Sequence, residues 1–300
     1  MTTWTIDEPR QQTLDQTVDS LRVWLAHGRL RVVAAEGPVR LDVRKVGRRG
    51  LDVKLEDGVL SIRHPVRDRR WVPFWWLVTG RRNYYADIII AVPPTVAAAL
   101  TLINGSALAS GLRRGVTMDV TSGSITLMGV GGRVRAKTVS GGIQAVGVGG
   151  DLSMQTVSGE ITLAESSAER VQARAVSGSV TCDLDNPFAQ DVRIDTISGS
   201  ITIRVPADAD LDVNLNATSG GVTSAFPEIR RSSVPGTHAA SGRLGRGTGR
   251  LTAYAVSGSV ALLAATAADY DEGEEETASG RRDLGAEQDR PEAGDREAAA

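Results

Sequence analysis

Hydrophobic and polar residues alternate along the N-terminal fifth of the chain. In residues 1–63, apolar side chains such as Leu21 and Val23 recur at every second position, and Gly-containing breaks separate the runs. Period-two alternation is typical of half-buried β-strands. Asp57 and Gly58 lie between two such runs and predict a tight hairpin, because glycine adopts the positive φ that this turn requires.

A short phrase then recurs from about residue 95. It reads Val-Ser-Gly or a close variant, with Ile or Val at the second position after the glycine. Starting from a degenerate copy at Gly105, the glycines step by 18, 18, 18, 19, 21, 21 and 38 residues. A period near 20 residues is typical of stacked supersecondary units. The predicted repeat corners are Gly123, Gly141, Gly159, Gly178, Gly199, Gly220 and Gly258.

Each copy of the phrase carries apolar columns on both sides of its glycine. Positions −7 and −5 and positions +2 and +4 are mostly apolar, and polar residues lie between them. Side chains alternate along a strand, so each pair of columns shares one face. A unit of this size cannot bury its apolar face alone, whereas copies stacked about 4.8 Å apart can. The serine before each glycine should form a further ladder of stacked hydroxyls.

These patterns predict an all-β protein whose main body is a single-domain β-solenoid. We expect a right-handed stack of about eight coils of 18–21 residues. Residues 1–94 should form an antiparallel β-hairpin cap that protects the open edge, residues 95–268 the repeats, and residues 269–300 a tail. A β-sandwich is the competing interpretation, because its strands also recur every 8–12 residues or so. The aligned columns favour the solenoid.

Three segments break the period, and we expect functional features there. Residues 225–248 are rich in Gly, Ser, Arg and Pro and are predicted as a long loop. Residues 269–300 contain twelve acidic residues and four Arg, and should be a disordered acidic tail. Residues 64–83 are an Arg/Trp-rich insertion.

The Arg/Trp-rich insertion has three interpretations. It is a hydrophobic plug over the open end of the sheet, a patch that contacts an anionic membrane surface, or a docking site for an unknown protein partner. The candidate contact residues are Arg69, Arg70, Trp71, Phe74, Trp75, Trp76, Arg81 and Arg82.

Charge and targeting signals narrow the partners and the compartment. The formal net charge is −2, and the chain before the acidic tail carries +6, too little to indicate a nucleic-acid partner. A single cysteine excludes an intramolecular disulfide and allows a reducing compartment. We see neither a secretion signal nor an apolar run of about 18 residues, so we expect a cytoplasmic protein, associated with a membrane at most through the insertion.

The chain shows no catalytic constellation, and we expect no enzyme activity. His27, His64 and His238 lie in predicted turns or loops without clustering, and Cys182 lies in the apolar +4 column. The serine ladder has no paired His and Asp. Gly-rich segments such as residues 129–132 lack the Lys-Ser/Thr ending of a phosphate-binding loop. We therefore predict no cofactor, no metal and no small-molecule substrate.

Two segments carry a resemblance to a known family. Thr156–Leu163 and Thr196–Ile203, following a β-rich region that ends at Pro93, resemble the bacterial "putative adhesin" family of unknown function, also called Toastrack. The resemblance covers roughly residues 15–264. It implies a right-handed β-helix-like stack and no known activity, and gives no catalytic residues to carry over. Such domains are often found near phage-shock-type and cell-envelope stress membrane proteins.

A non-catalytic binding or scaffold module is therefore the first functional hypothesis, with a location at the inner face of the membrane. A surface adhesin or carbohydrate-binding protein is the alternative and would require export. A polysaccharide-active β-helix enzyme is the third, and would need clustered carboxylates or basic groups on one exposed face.

Overall fold

The computed structural model describes residues 2–65, 84–185, 191–234 and 237–265, and every regular element in these ranges is a β-strand. This confirms the all-β solenoid prediction. The strands of the N-terminal part are β1 (Thr2–Ile6), β2 (Arg10–Leu14), β3 (Ser20–Ala34), β4 (Val39–Val46), β5 (Leu51–Glu56), β6 (Val59–Arg63), β7 (Tyr85–Val92) and β8 (Ala97–Ser110). The remaining strands are β9 (Gly115–Met128), β10 (Arg133–Ser140), β11 (Ile143–Val146), β12 (Gly149–Ser158), β13 (Ile161–Ser177), β14 (Val180–Leu184), β15 (Asp191–Ser198), β16 (Ile201–Pro206), β17 (Leu211–Ser219), β18 (Val222–Ser224), β19 (Arg230–Val234), β20 (Thr237–Arg243), β21 (Gly249–Ser257) and β22 (Val260–Ala265).

Successive coils stack through parallel pairing and enclose one core between two sheets. The first sheet runs β1-β5-β6-β3-β8-β9-β10-β12-β13-β15-β21-β17-β20-β19. The second runs β2-β4-β7-β3-β8-β9-β11-β13-β14-β16-β22-β18. Long strands such as β3, β8, β9 and β13 bend at a corner and belong to both sheets.

The predicted columns line this core. The −7, −5 and +2 columns are buried in every repeat from β9 onward, and the +4 column is buried in all but one, where Ser224 stands at the last coil of the stack. Cys182 is fully buried in the +4 column, as expected. Because each coil presents small or medium side chains at matching heights, the stack buries a continuous apolar interior rather than separate clusters.

Glycine is required at the corner because neighbouring coils approach there too closely for a side chain. Gly178 has φ 154°, a region that L-residues rarely adopt. A Cβ atom built on it would lie 1.8 Å from the carbonyl oxygen of Gly159. The same contact recurs from Gly28 to Gly258 and Gly220, so the corner glycines form one continuous column.

The order of coils in space differs from their order in the chain. Strands β21 and β22 form the last coil in chain order. In space this coil lies between the coil of β15 and β16 and the coil of β17 and β18. At the corner, the Gly199 N–H donates to Ser257 O and the Gly258 N–H donates to Ser219 O, both at 2.9 Å. In the 38 residues between Gly220 and Gly258, the chain therefore reaches the end of the stack and then returns to add β21 and β22 inside it.

The structure differs from the long loop predicted for residues 225–248. Strands β19 and β20 form an antiparallel hairpin, and β20 pairs antiparallel with β17. Ala240 is buried in β20, and Phe226, Ile229 and Leu244 are buried beside the hairpin. These strands were not predicted because β20 has one buried side chain and therefore shows no period-two apolar alternation. The hairpin covers the end of the first sheet.

Parallel stacking also begins earlier than residue 95. Strand β3 pairs in parallel with β8 on one side and with β6 and β7 on the other. It is therefore a coil of the solenoid within the segment assigned to the cap. The β5–β6 hairpin forms at the turn predicted from Asp57 and Gly58, which have φ of 49° and 73°. The outer strands β1, β2, β4 and β5 pair antiparallel with their neighbours and extend the two sheets at this end.

Two of the three period-breaking segments lie mainly or wholly outside the described residues. These are the insertion from residue 66 to residue 83 and the chain from residue 266 onward, so disorder of the tail stays a prediction. The right hand of the coil also stays a prediction.

Candidate functional site

One column of the repeat exposes apolar side chains to solvent. The residue before each repeat serine lies on the outer face of the first sheet. Side chains on this face contact water, so polar residues are expected there. Its exposed fraction runs from 36% to 53% along five consecutive coils. We call this column the apolar ladder, and it consists of Val139, Val157, Val176, Ile197 and Val256.

Strand alternation and a bend place the ladder outside the core. The position before it, occupied by Thr138, Thr156, Ala175, Thr196 and Ala255, is buried, so the ladder residue must face outward. The pairing register joins Thr138 to Thr156 and Ser140 to Ser158, but skips the valines between them. The same gap recurs in the next coils. Each strand therefore departs from regular pairing at the ladder, next to its corner.

A groove of about 760 Å³ runs along this face. The apolar ladder lines one side of it. The other side is a polar column two residues earlier in each strand, which we call the polar column and which consists of Asp119, Lys137, Gln155, Arg174, Asp195 and Tyr254. Neighbours in this column are direct cross-strand partners, so the two columns follow the stack side by side.

The polar column is electrically balanced, and Arg193 beside it gives the residues that line the groove a surplus of one positive charge. Asp195 accepts from Arg174 Nε at 3.4 Å and from Arg193 Nε at 3.0 Å, so one carboxylate serves two guanidinium groups. Lys137 faces Asp119 across the register but forms no ion pair within 4.0 Å among the described residues. These pairs are exposed and individually weak. Their charge is nevertheless available to a ligand that lies in the groove.

Hydroxyl groups mark both ends of the ladder. Thr121 and Thr218 occupy the ladder position in the coils beyond Val139 and Val256. Thr218 Oγ1 and the Tyr254 hydroxyl are 3.2 Å apart and share a hydrogen bond. The apolar part of the groove thus ends at polar contacts on either side.

The residues that line this groove in the described part of the chain include no histidine and no cysteine. No group of three or more His, Cys, Asp or Glu side chains in these ranges is placed to hold a metal ion. Burial, with a smaller contribution from the charge of Asp183, raises the pKa of the Cys182 thiol to about 12, so it is a poor nucleophile. His27 and His238 lie in strands rather than in the predicted turns, and His64 is buried.

The candidate contact residues of the insertion lie outside the described residues. These are Arg69, Arg70, Trp71, Phe74, Trp75, Trp76, Arg81 and Arg82. The corner glycines lie two residues after the ladder, and the serines between them are exposed and in register. The ladder was not predicted from the sequence, although its signal is present there. Counting forward from the buried −7 and −5 columns predicts that position −3 is buried and position −2 exposed, and apolar residues at an exposed position are unusual.

Comparison with known proteins identifies the fold family. The family model of Toastrack DUF4097 matches residues 31–263, more than three quarters of the chain. The chain belongs to this family. A solved structure titled "putative cell adhesion protein", from Clostridium sporogenes, is similar at 10% identity with a TM-score of 0.28, covering 86% of this Toastrack chain and all of that protein. No curated protein matches the Toastrack chain. In the described residues, no helix is long and apolar enough to cross a membrane.

Proposed function

We propose that this Toastrack protein is a non-catalytic binding module that holds an extended segment of a partner protein in its outer groove. The observation that carries the proposal is the apolar ladder, five β-branched side chains in one line with up to 53% of their surface exposed. Contiguous exposed apolar surface is typical of interaction sites, because water is released when a partner covers it.

The length of the groove suits an extended chain. Its lining spans seven coils, or about 29 Å at the usual strand spacing of about 4.8 Å. An extended segment of about nine residues matches this length.

The chemistry of the two sides indicates the partner's composition. Side chains that face the apolar ladder should be apolar, and those that face Lys137, Arg174 and Arg193 should be acidic. Tyr254 is the one aromatic residue among those that line the groove. Sugar rings usually pack on aromatic faces, so the lining supports a polypeptide better than the alternative of a carbohydrate.

A peptide library tests this proposal directly. A library of random nine-residue peptides should yield binders that alternate apolar and acidic residues. Their affinity should fall about tenfold or more for Val157→Thr/Val176→Thr, which keeps β-branched side chains while removing apolar contact. Met128→Thr is the matched control, because Met128 is 45% exposed but does not line the groove. Equal binding by both variants would refute the groove as the site.

Membrane association is a second candidate, and the sequence of the insertion supports it. Three Trp and one Phe flanked by Arg in residues 67–82 suit the interface of an anionic bilayer. We propose a cytoplasmic location with contact at the inner face of the membrane, and a link to cell-envelope stress follows from the family resemblance alone. Flotation with anionic liposomes should be lost in Trp71→Ser/Trp75→Ser/Trp76→Ser. Unchanged flotation would contradict a membrane role.

A further inference from the structure

The N-terminal end of the solenoid presents two unpaired strand edges side by side. Strand β1 is the outermost strand of the first sheet and pairs with β5, and β2 is the outermost strand of the second sheet and pairs with β4. Each lies three strands beyond β3, so the two edges are level. In the described part of the chain no other strand pairs with either. Their outer N–H and C=O groups are therefore available for a further strand.

The two ends of the solenoid differ in how their edges are protected. At the C-terminal end, the outer strand β19 begins with the exposed residues Arg230 and Arg231, and β18 is three residues long. Charged side chains and short strands are common devices against edge-to-edge pairing. Strand β1 reads Thr-Thr-Trp-Thr-Ile and carries no charge, and β2 carries only Arg10. Among the described residues, the outer strands of the N-terminal end carry one charge, that of Arg10, and each is five residues long.

A cavity of about 470 Å³ lies between the two edge strands, and two of the residues that line it carry a buried polar atom without a partner among the described residues. Trp4 Nε1 and Gln12 Oε1 are both buried and have no hydrogen-bond partner among the described residues. Both residues line this cavity. A buried polar atom without a partner is costly, so such atoms are rare in a completed interior. One such donor and one such acceptor at the same open end suggest that another molecule contacts this end.

We propose that a second copy of this chain covers the N-terminal end. A two-fold axis perpendicular to both sheets, passing through Trp4 and Gln12, would pair β1 with β1 and β2 with β2 in antiparallel fashion. Both sheets then continue from one copy into the other. The Trp4 indole N–H of each copy is brought towards Gln12 Oε1 of the partner subunit. The contact is isologous, because each copy contributes the same surface.

The charges of Arg10 and Asp15 are compatible with the proposed pairing of β2 with β2 of the partner subunit. About a two-fold axis at Gln12, Arg10 stands opposite Leu14 of the partner subunit and beside Asp15 of the partner subunit. Both Arg10 and Asp15 line the cavity. The uncharged strand β1 meets only itself. The same axis leaves the grooves of both copies on one face of the dimer, which would allow bivalent binding.

Charge substitutions at exposed positions of β1 test the register. In the proposed dimer Thr3 stands opposite Thr5 of the partner subunit. Thr3→Lys/Thr5→Lys therefore opposes like charges and should raise the dimer Kd about tenfold or more. Thr3→Glu/Thr5→Lys opposes unlike charges and should dimerise as well as the wild type. It also suits the monomer, because Thr3 faces Lys54 and Thr5 faces Asp52 in β5.

Sedimentation equilibrium over a range of concentrations gives the readout. The wild type should approach twice the 31.7 kDa chain mass. Gln12→Met should weaken dimerisation while leaving the monomer as stable or more stable, since it removes a buried acceptor that lacks a partner in the monomer. A wild type that stays monomeric up to its solubility limit would overturn the proposal. So would a dimer that is indifferent to the paired lysines, or a monomer that dimerises only when residues 66–83 are deleted.

Discussion

Substitution of a single corner glycine should destabilise the stack strongly, and Gly178→Ala is the sharpest case. Gly178 lies at φ 154° in the middle of the glycine column. Alanine there would adopt a backbone region that costs about 1–3 kcal/mol. Its Cβ would also begin 1.8 Å from Gly159 O, whereas such contacts need at least 3.0 Å. The two coils must therefore separate by more than 1 Å at this point.

That separation breaks hydrogen bonds on both sides of the corner. The Gly159 N–H donates to Ser177 O at 3.1 Å and the Gly178 N–H donates to Ser198 O at 2.9 Å. At about 1 kcal/mol for each bond, the total loss in the free energy of unfolding is roughly 3–5 kcal/mol. Urea unfolding followed by circular dichroism measures it.

The matched control lies one residue beyond another corner. Gly221 has no atom within 4 Å of a built Cβ, and its φ lies outside the glycine-favouring region. Gly221→Ala should change the free energy of unfolding by less than about 0.5 kcal/mol. If the Gly178→Ala and Gly221→Ala variants unfold at the same urea concentration, the close approach of the coils does not require glycine at the corner.

Three further predictions concern buried polar groups and the C-terminal coil. Burial, aided by the charge of His27, lowers the pKa of His64 to about 4. Below pH 6.5 the unfolded chain therefore binds a proton that the folded chain does not, and the free energy of unfolding should fall by about 3 kcal/mol as the pH drops from 6.5 towards 4. Thermal unfolding should show this slope in the wild type and lose most of it in His64→Asn, which keeps an acceptor for the Ala26 N–H. Thr138→Val should raise the free energy of unfolding in urea by about 1 kcal/mol, since Thr138 Oγ1 is buried and has no hydrogen-bond partner among the described residues. Truncation after residue 248 should abolish cooperative unfolding, because β15 and β17 lose the strand between them, whereas truncation after residue 268 should leave it unchanged.

Local periodicity was sufficient to predict the core and the corners. Each inward column is set by strand alternation within one coil, and the glycine is set by a contact that recurs at every corner. Both are properties of a single repeat and its nearest neighbour, so seven aligned copies define them clearly. The apolar ladder was predictable by the same count, because residues such as Val157 lie three positions after the buried position −5 and therefore on the opposite face.

Neighbour relations between distant coils could not be read from the same pattern. The columns of β21, such as Leu251 and Ala253, suit any place in the stack, since every coil presents similar residues at the same heights. The hairpin of β19 and β20 precedes the return of the chain, and Ala240 is the one buried residue of β20, so no apolar alternation marks this strand in the sequence. Long-range order of this kind depends on closure of the last sheet edge, which no local window contains.

The return of the C-terminal coil also connects the fold to the groove. Tyr254 and Val256 belong to β21, and they lie between Ile197 of β15 and Thr218 of β17. One end of the groove therefore exists only after β21 has entered the stack. A partner segment that covers Ile197 and Val256 together would contact both sides of this junction and stabilise the inserted coil by mass action. Binding in the groove and completion of the solenoid should thus be coupled, and a ligand of the groove should raise the unfolding temperature of the full chain.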